Sequence, residues 1–254
     1  MITKYLKWNY GHHIGGLWYP RVTSICRIIS KPGLEKWLAN QGSFYAMKKK
    51  RKKFTDWGNL IHETTEKILI GRMPKIDPSI RPSIDAFLNW MKNHKIDASG
   101  VEKKIVSREH VYSGILDVLG EIDGKFGIID LKTSPVIWDD YFIQTAAYFQ
   151  AYNEKAIKKA ETYWILRIDQ YEECSLCKAK KREKGGESEI KGGKKKCKHK
   201  WSEPKGVCEL KEVKNHKLYI DAFLTAKKLW EITNRDWLLE IKNYPNRFKY
   251  LSEK

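Results

Sequence analysis

No stretch of this sequence approaches the roughly 18 consecutive apolar residues that a membrane-spanning helix needs. The N-terminal residues also lack the apolar core of a secretion signal. The expectation is a soluble, cytoplasmic chain with no membrane partner. No internal repeat recurs. Cysteine is scarce outside one region: four of the five lie between positions 174 and 208, with Cys26 apart. Without a secretion signal this clustering points to metal and away from a disulfide framework. Acidic residues are the minority, 31 Asp and Glu against 49 Lys and Arg, for a net charge of +18 over 254 residues.

The positive charge is concentrated. Lys48, Lys49, Lys50, Arg51, Lys52 and Lys53 form an unbroken run worth +6, and residues 178–205, including Lys194, Lys195 and Lys196, carry +8. These two segments suit a polyanion, because neutralising phosphates releases condensed counterions. A solubilising loop and a localisation signal are the competing readings. The length allows one large domain, 1–254, with a Cys/Lys-rich insertion at 170–208.

The stretch from Tyr112 to Thr133 reads as a β-hairpin on Asp123-Gly124, the dipeptide that suits a two-residue type I′ loop. That loop pairs Ile122 with Lys125 and, further along, sets Asp117 opposite Asp130. Alternation places Asp117, Asp130 and Lys132 on one face, beside the apolar Leu119, Phe126 and Ile128. Opposed carboxylates repel, so a divalent cation between them is the favoured explanation, and a solvated sheet face the bland one.

Residues 1–22 read as an extended lead-in, followed by two short helices divided at Lys31-Pro32-Gly33, the second with an apolar stripe of Leu34, Trp37 and Leu38. A helix follows the basic run, capped by Thr55 or Asp56 and ended by Gly71, with Trp57, Leu60, Ile61 and Ile68 at helical spacing. His62 lies beside that stripe, with Gly58 and Glu66 four residues to either side; spacing alone favours a structural histidine. The HETTE sequence lacks the second histidine of a zinc-protease motif. A further helix runs through Ile84, Phe87 and Met91. Residues 101–107 alternate as a strand, where Glu102 is a tentative further acid for the site or a solvated strand end. Residues 138–160 read as a long helix with Gln144 and Tyr148 on one face. Residues 162–169 form a strand whose hairpin partner is 209–214, and two helices near 217–233 and 235–243 close the chain. The Gly/Lys-rich tract at 184–196 is expected to be mobile.

Cys174-Ser-Leu-Cys177 is a CxxC knuckle, and Cys197 and Cys208 complete four thiolates for a structural Zn²⁺, with His199 as the alternative fourth ligand.

In order, His62 on a helix, Gly114-Ile-Leu-Asp117, Asp130-Leu-Lys132 and Gln144-Thr-Ala-Ala-Tyr148 resemble the PD-(D/E)XK nuclease superfamily, in its RecB-like and phage-exonuclease branch. The resemblance covers about residues 20–169 and resumes near 209; the cysteine-bearing insertion departs from the pattern. It implies an α/β fold with a restriction-endonuclease-like core, a central mixed sheet flanked by helices. It also implies a Mg²⁺- or Mn²⁺-dependent DNA nuclease, most simply an exonuclease of phage-type replication, recombination or repair. Asp117, Asp130, the Leu131 carbonyl and His62 would bind the metal, and Lys132 would orient water or stabilise the transition state. Gln144 and Tyr148 would position DNA or the lysine, with helix packing the plain alternative for Tyr148. Related nucleases carry an iron–sulfur cluster, for which Cys26 stands in a suitable place but the usual cysteine trio is missing. The rival functions are a CRISPR-adaptation-type end-trimming nuclease with such a cluster and a non-catalytic DNA-binding protein. An RNA substrate, a homo-oligomer and a recombination partner protein are all compatible with the motifs.

Overall fold

The structure, a computed structural model, describes residues 7–29 and 43–246. The expected helix around Leu34, Trp37 and Leu38 lies outside the described residues. In chain order, a hairpin of β1 (Gly11–Ile14) and β2 (Leu17–Pro20) leads into a single turn, α1 (Val22–Ile25). The long helix α2 (Phe44–Leu69) and α3 (Arg81–Met91) precede β3 (Ile96–Ser107), β4 (Tyr112–Ile122) and β5 (Lys125–Lys132). Helix α4 (Asp139–Lys155) crosses to β6 (Thr162–Glu173). The short hairpin β7 (Lys180–Lys184) and β8 (Glu187–Lys191) follows, then β9 (Lys205–Glu212), α5 (His216–Thr233) and α6 (Arg235–Leu239).

The strands form one mixed seven-stranded sheet in the order β3-β4-β5-β6-β7-β8, with β9 pairing to the free side of β6. Among the described strand pairs only β5–β6 is parallel, and α4 makes the crossover between them. The Asp-Gly turn sets the central register as its chemistry demands. Asp123 (φ 51°) and Gly124 (φ 86°) both adopt the left-handed conformation of a type I′ loop. Ile122 pairs with Lys125 and Val118 with Ile129.

Helices cover both faces. Leu119, Ile128 and Phe126 face the cluster built with α4 and α5, including Phe142, Tyr163 and Phe223. Val118, Ile129 and Leu131 face the other cluster, with Trp57 and Ile61 of α2 and Ile84 and Phe87 of α3. The alternation slips at one point: Leu116 and Val118, two residues apart, enter opposite clusters. Asp117 lies between them. Across from it on β3, Glu102 has φ 47°, a left-handed conformation costly for a residue with a Cβ.

Several elements differ from the sequence expectation. Helix α2 does not begin at Thr55 or Asp56. Ser43 caps it, its hydroxyl accepting from the Ala46 amide at 3.1 Å, so the whole basic run is helical. Lysine and arginine are good helix formers and nothing between Phe44 and Asp56 interrupts them. The lead-in contains the β1–β2 hairpin. Of the Gly/Lys tract 184–196, expected to be mobile, Lys184 ends β7, Gly185 and Gly186 form the turn, both at positive φ, and 187–191 form β8, with 192–196 beyond the hairpin. β6 and β9 also extend their pairing to Tyr171–Lys205, so the excursion between them is shorter than 170–208.

Candidate functional site

The ladder between β4 and β5 ends at Val118–Ile129. One step further, Asp117 meets the opposite strand through its side chain: Oδ2 accepts from the Leu131 amide at 2.8 Å. Helix α2 crosses at this point and brings His62, with Nδ1 3.9 Å from Asp117 Oδ2. One turn on, Glu66 joins them, and the ligand atoms of His62, Glu66 and Asp117 all lie within 4.8 Å of one another. Glu66 was visible from the sequence only as the residue four positions beyond His62 on the same helix face. Asp130 stands next to this trio, 1% exposed, in an ion pair with Lys132. Lys132 is the cation that faces its Oδ2. Glu102 is exposed and falls outside the close trio, though its charge acts on Asp117 and Glu66.

The electrostatics follow from crowding acids in a desolvated place. Burial and then Asp117 and Glu102 drive the Glu66 carboxyl up to about 7. Burial raises Asp130 to about 6 against the pull of Lys132, and raises Asp117 against Lys132 and the Leu131 amide. Burial and Lys132 push His62 down to about 4, with Asp130 opposing, so its imidazole is neutral near pH 7 and offers a lone pair. Burial works against the Lys132 charge, but Asp130 and Asp117 more than offset it and hold its pKa above the usual lysine value. A neutral imidazole beside carboxylates that repel one another is a donor set that could hold a divalent cation.

Lys132 is enclosed by α4. Its Nζ lies 5.2 Å from the centre of the Tyr141 ring, a neighbour the sequence reading missed although Tyr141 precedes Gln144 and Tyr148 on the same helix. Gln144 Nε2 donates to the Tyr148 hydroxyl at 3.0 Å, and Tyr148 is 3% exposed. Two glycines permit the approach of these elements. A Cβ on Gly114 would lie 2.5 Å from the Tyr148 ring, and one on Gly58 would lie 2.8 Å from Thr133 Oγ1. Gly58 therefore lets α2 pack against the residue that follows Lys132.

A second group lies at the base of the β7–β8 hairpin. Cys174, Cys177, Cys197 and His199 bring one ligand atom each within 4.8 Å of the others and could hold a metal ion. Cys174 Sγ is 3.9 Å from Cys197 Sγ, and Cys177 Sγ is 3.4 Å from His199 Nδ1. Tetrahedral Zn²⁺ with bonds near 2.3 Å to sulfur and 2.0–2.1 Å to nitrogen would place such neighbours about 3.8 and 3.6 Å apart. A disulfide would need sulfurs about 2.05 Å apart. Cys208, expected as the fourth thiolate, is not in the group. The extension of β9 draws it into strand register opposite Ile168, packed against the α2–α3 cluster, and His199 completes the set. Cys26 is buried in the opposite cluster, with α4.

The basic run occupies the N-terminal half of α2, where Lys48, Lys49, Arg51 and Lys52 are exposed. Lys52 pairs with Asp56 at 2.6 Å, and Lys53 with Glu187 of β8 at 2.8 Å. Lys194, Lys195 and Lys196 are exposed beside Cys197. Among the described residues no helix is long and apolar enough to cross a membrane. A scan of protein-family models returns no match to the chain, and a search of curated proteins finds no significant relative.

Proposed function

We propose that the chain is a metal-dependent DNA nuclease of the PD-(D/E)XK superfamily with a restriction-endonuclease-like core. It would act as an exonuclease on DNA ends in phage-type replication, recombination or repair. The observation that carries this reading is the convergence of His62, Glu66 and Asp117 within 4.8 Å, beside the Asp130–Lys132 ion pair at the end of the central hairpin. His62, Glu66, Asp117 and Asp130 would hold Mg²⁺ or Mn²⁺, with the Leu131 carbonyl as a backbone ligand. Such an ion acidifies a bound water and polarises a phosphoryl oxygen.

The protein's own groups do the rest. The buried Lys132 ammonium stays charged, so it offers a fixed positive charge where a phosphodiester gains negative charge during attack. Tyr141 and the Gln144–Tyr148 pair confine it from α4. The exposed cations at the start of α2 and at 194–196 would serve as phosphate contacts. The three thiolates and His199 would hold a structural Zn²⁺. An iron–sulfur cluster fits less well, because the fourth ligand is a histidine and Cys26 is in the core.

The test is incubation of the protein with end-labelled linear and circular DNA, single- and double-stranded, with Mn²⁺ or with EDTA. Linear DNA should be degraded from its ends in Mn²⁺ only, and Asp117→Ala and Lys132→Ala should abolish cleavage while retaining DNA binding. Cleavage at wild-type rates by either variant would remove these residues from the chemistry.

A further inference from the structure

The β7–β8 hairpin reaches from the cysteine group to the catalytic strand. At its base, Cys174 directly follows β6, Cys177 leads into β7, and Cys197 and His199 follow β8. Five residues of strand span about 17 Å, so the far end of the hairpin stands well away from that group. There Lys184 donates to the Thr133 carbonyl at 2.5 Å, with its Nζ 4.8 Å from the centre of the Trp57 ring. Its Nζ is also 3.7 Å from buried Asp169, which Arg182 binds at 2.8 Å. The turn rests on α2: a Cβ on Gly185 would lie 2.8 Å from the Lys53 carbonyl oxygen, and Lys53 reaches across to Glu187. The hairpin thus touches Thr133, which adjoins Lys132, and the α2 segment leading to His62.

Little apolar burial holds the excursion itself. Between residues 174 and 204 only Cys174, Ala179 and Arg182 are buried. A segment with so small a core needs another source of order, and a four-ligand metal site supplies it. Lys184 is itself desolvated, with three donors and a backbone acceptor on the segment it steadies.

We propose that the Cys174, Cys177, Cys197 and His199 site, loaded with Zn²⁺, anchors the β7–β8 hairpin as a strut against the end of β5, and that Lys184 is the positioning residue through which it acts. This rests on the nuclease reading above. The contacts of Lys184 are with Thr133, Trp57 and Asp169, outside the metal trio, and it holds Thr133, and so the Lys132 backbone, against α2. Catalytic geometry is sensitive to displacements of about 1 Å, so a loosened strut costs turnover more than substrate affinity.

The experiment compares wild type, Lys184→Met, Lys184→Arg and Cys197→Ser. Measured for each are zinc content, steady-state cleavage of linear DNA in Mn²⁺, and amide hydrogen exchange over residues 53–62 and 130–136. Lys184→Met should keep its zinc and lose about tenfold or more in kcat with KM within about twofold, and both segments should exchange faster. Lys184→Arg, which retains the cation and donors, should recover most of the loss. Cys197→Ser should lose zinc and show the same faster exchange. Wild-type kcat and wild-type exchange in Lys184→Met overturn the strut, as does a zinc-free Cys197→Ser with unchanged exchange at 130–136. If wild type itself does not cleave DNA, the nuclease reading fails, and the exchange comparison still decides whether the metal site braces this strand.

Discussion

Replacing Glu66 by glutamine keeps the shape of the side chain and removes a charge from the metal trio. Its effect can be worked out from the shifts at the site. In the metal-free protein Glu66 titrates near 7, so at pH 6 about ten molecules in eleven carry its proton, and a cation must displace it. At pH 8 that competition is nearly gone. Glu66 alone therefore makes metal affinity rise about tenfold from pH 6 to pH 8, and Asp130, near 6, adds a factor of about two. His62 titrates near 4 and contributes nothing over this range. Asp117 and Glu66 repel one another, so removing the Glu66 charge eases ionisation of Asp117 and flattens the variant's response further. Glu66→Gln should flatten the rise by about tenfold and weaken binding at pH 8 by at least about tenfold, the loss that even outer partners of metal ligands produce. Mn²⁺ titrations followed by electron paramagnetic resonance at pH 6, 7 and 8 measure both. Equal affinity at pH 8 with an unchanged pH response would refute Glu66 as a ligand. The sign for stability is opposite. A carboxyl raised from 4.5 to about 7 by folding contributes stability that is present below its unfolded pKa and lost as pH rises through 7. Glu66 thus favours the metal-free protein at pH 5.5 over pH 8 while His62, pushed down to about 4, opposes it, so Glu66→Gln should shift the pH dependence of melting toward greater relative stability at pH 8.

Two further expectations concern the other charged regions. Metal analysis of the purified chain should find one zinc per molecule, retained in Cys208→Ser and lost in His199→Ala; the reverse pattern would return Cys208 to the ligand set. Replacing Lys48, Lys49 and Arg51 together by glutamine should weaken DNA binding uniformly across sequences. It should also lower the salt slope by about three, one for each phosphate no longer neutralised, as measured by fluorescence anisotropy between about 50 and 200 mM salt. An unchanged slope would assign the run to solubility.

Local rules reached some parts of this protein and not others. Asp-Gly at 123–124 determined the hairpin register, because a two-residue loop with two left-handed positions admits only one pairing. The joint placement of Gln144 and Tyr148 followed from helical periodicity alone. The cysteine knuckle followed from spacing. Alternation grouped Asp117 with Asp130 and Lys132, which do act on one another, but it did not foresee the slip between Leu116 and Val118 or the left-handed Glu102 across from it. Where α2 begins was hidden because a basic run reads as a solvated loop until Ser43 is seen capping it.

Tertiary structure decided the final membership of both candidate metal groups. Glu66 joins His62 and Asp117 because α2 crosses the sheet at that point, a relation between residues 51 positions apart that no local period encodes. His199 displaces Cys208 because β9 pairs back to Lys205, four residues before the expected start at 209, and carries Cys208 into the ladder. Lys184 meets Thr133 across 51 positions through a hairpin whose composition reads as low-complexity tract. Sequence determines the chemistry available at each position and the pairing within a turn or a helix. Which distant groups converge is set by packing, where burial of two apolar clusters on opposite faces of one sheet fixes the crossing of the elements that carry them.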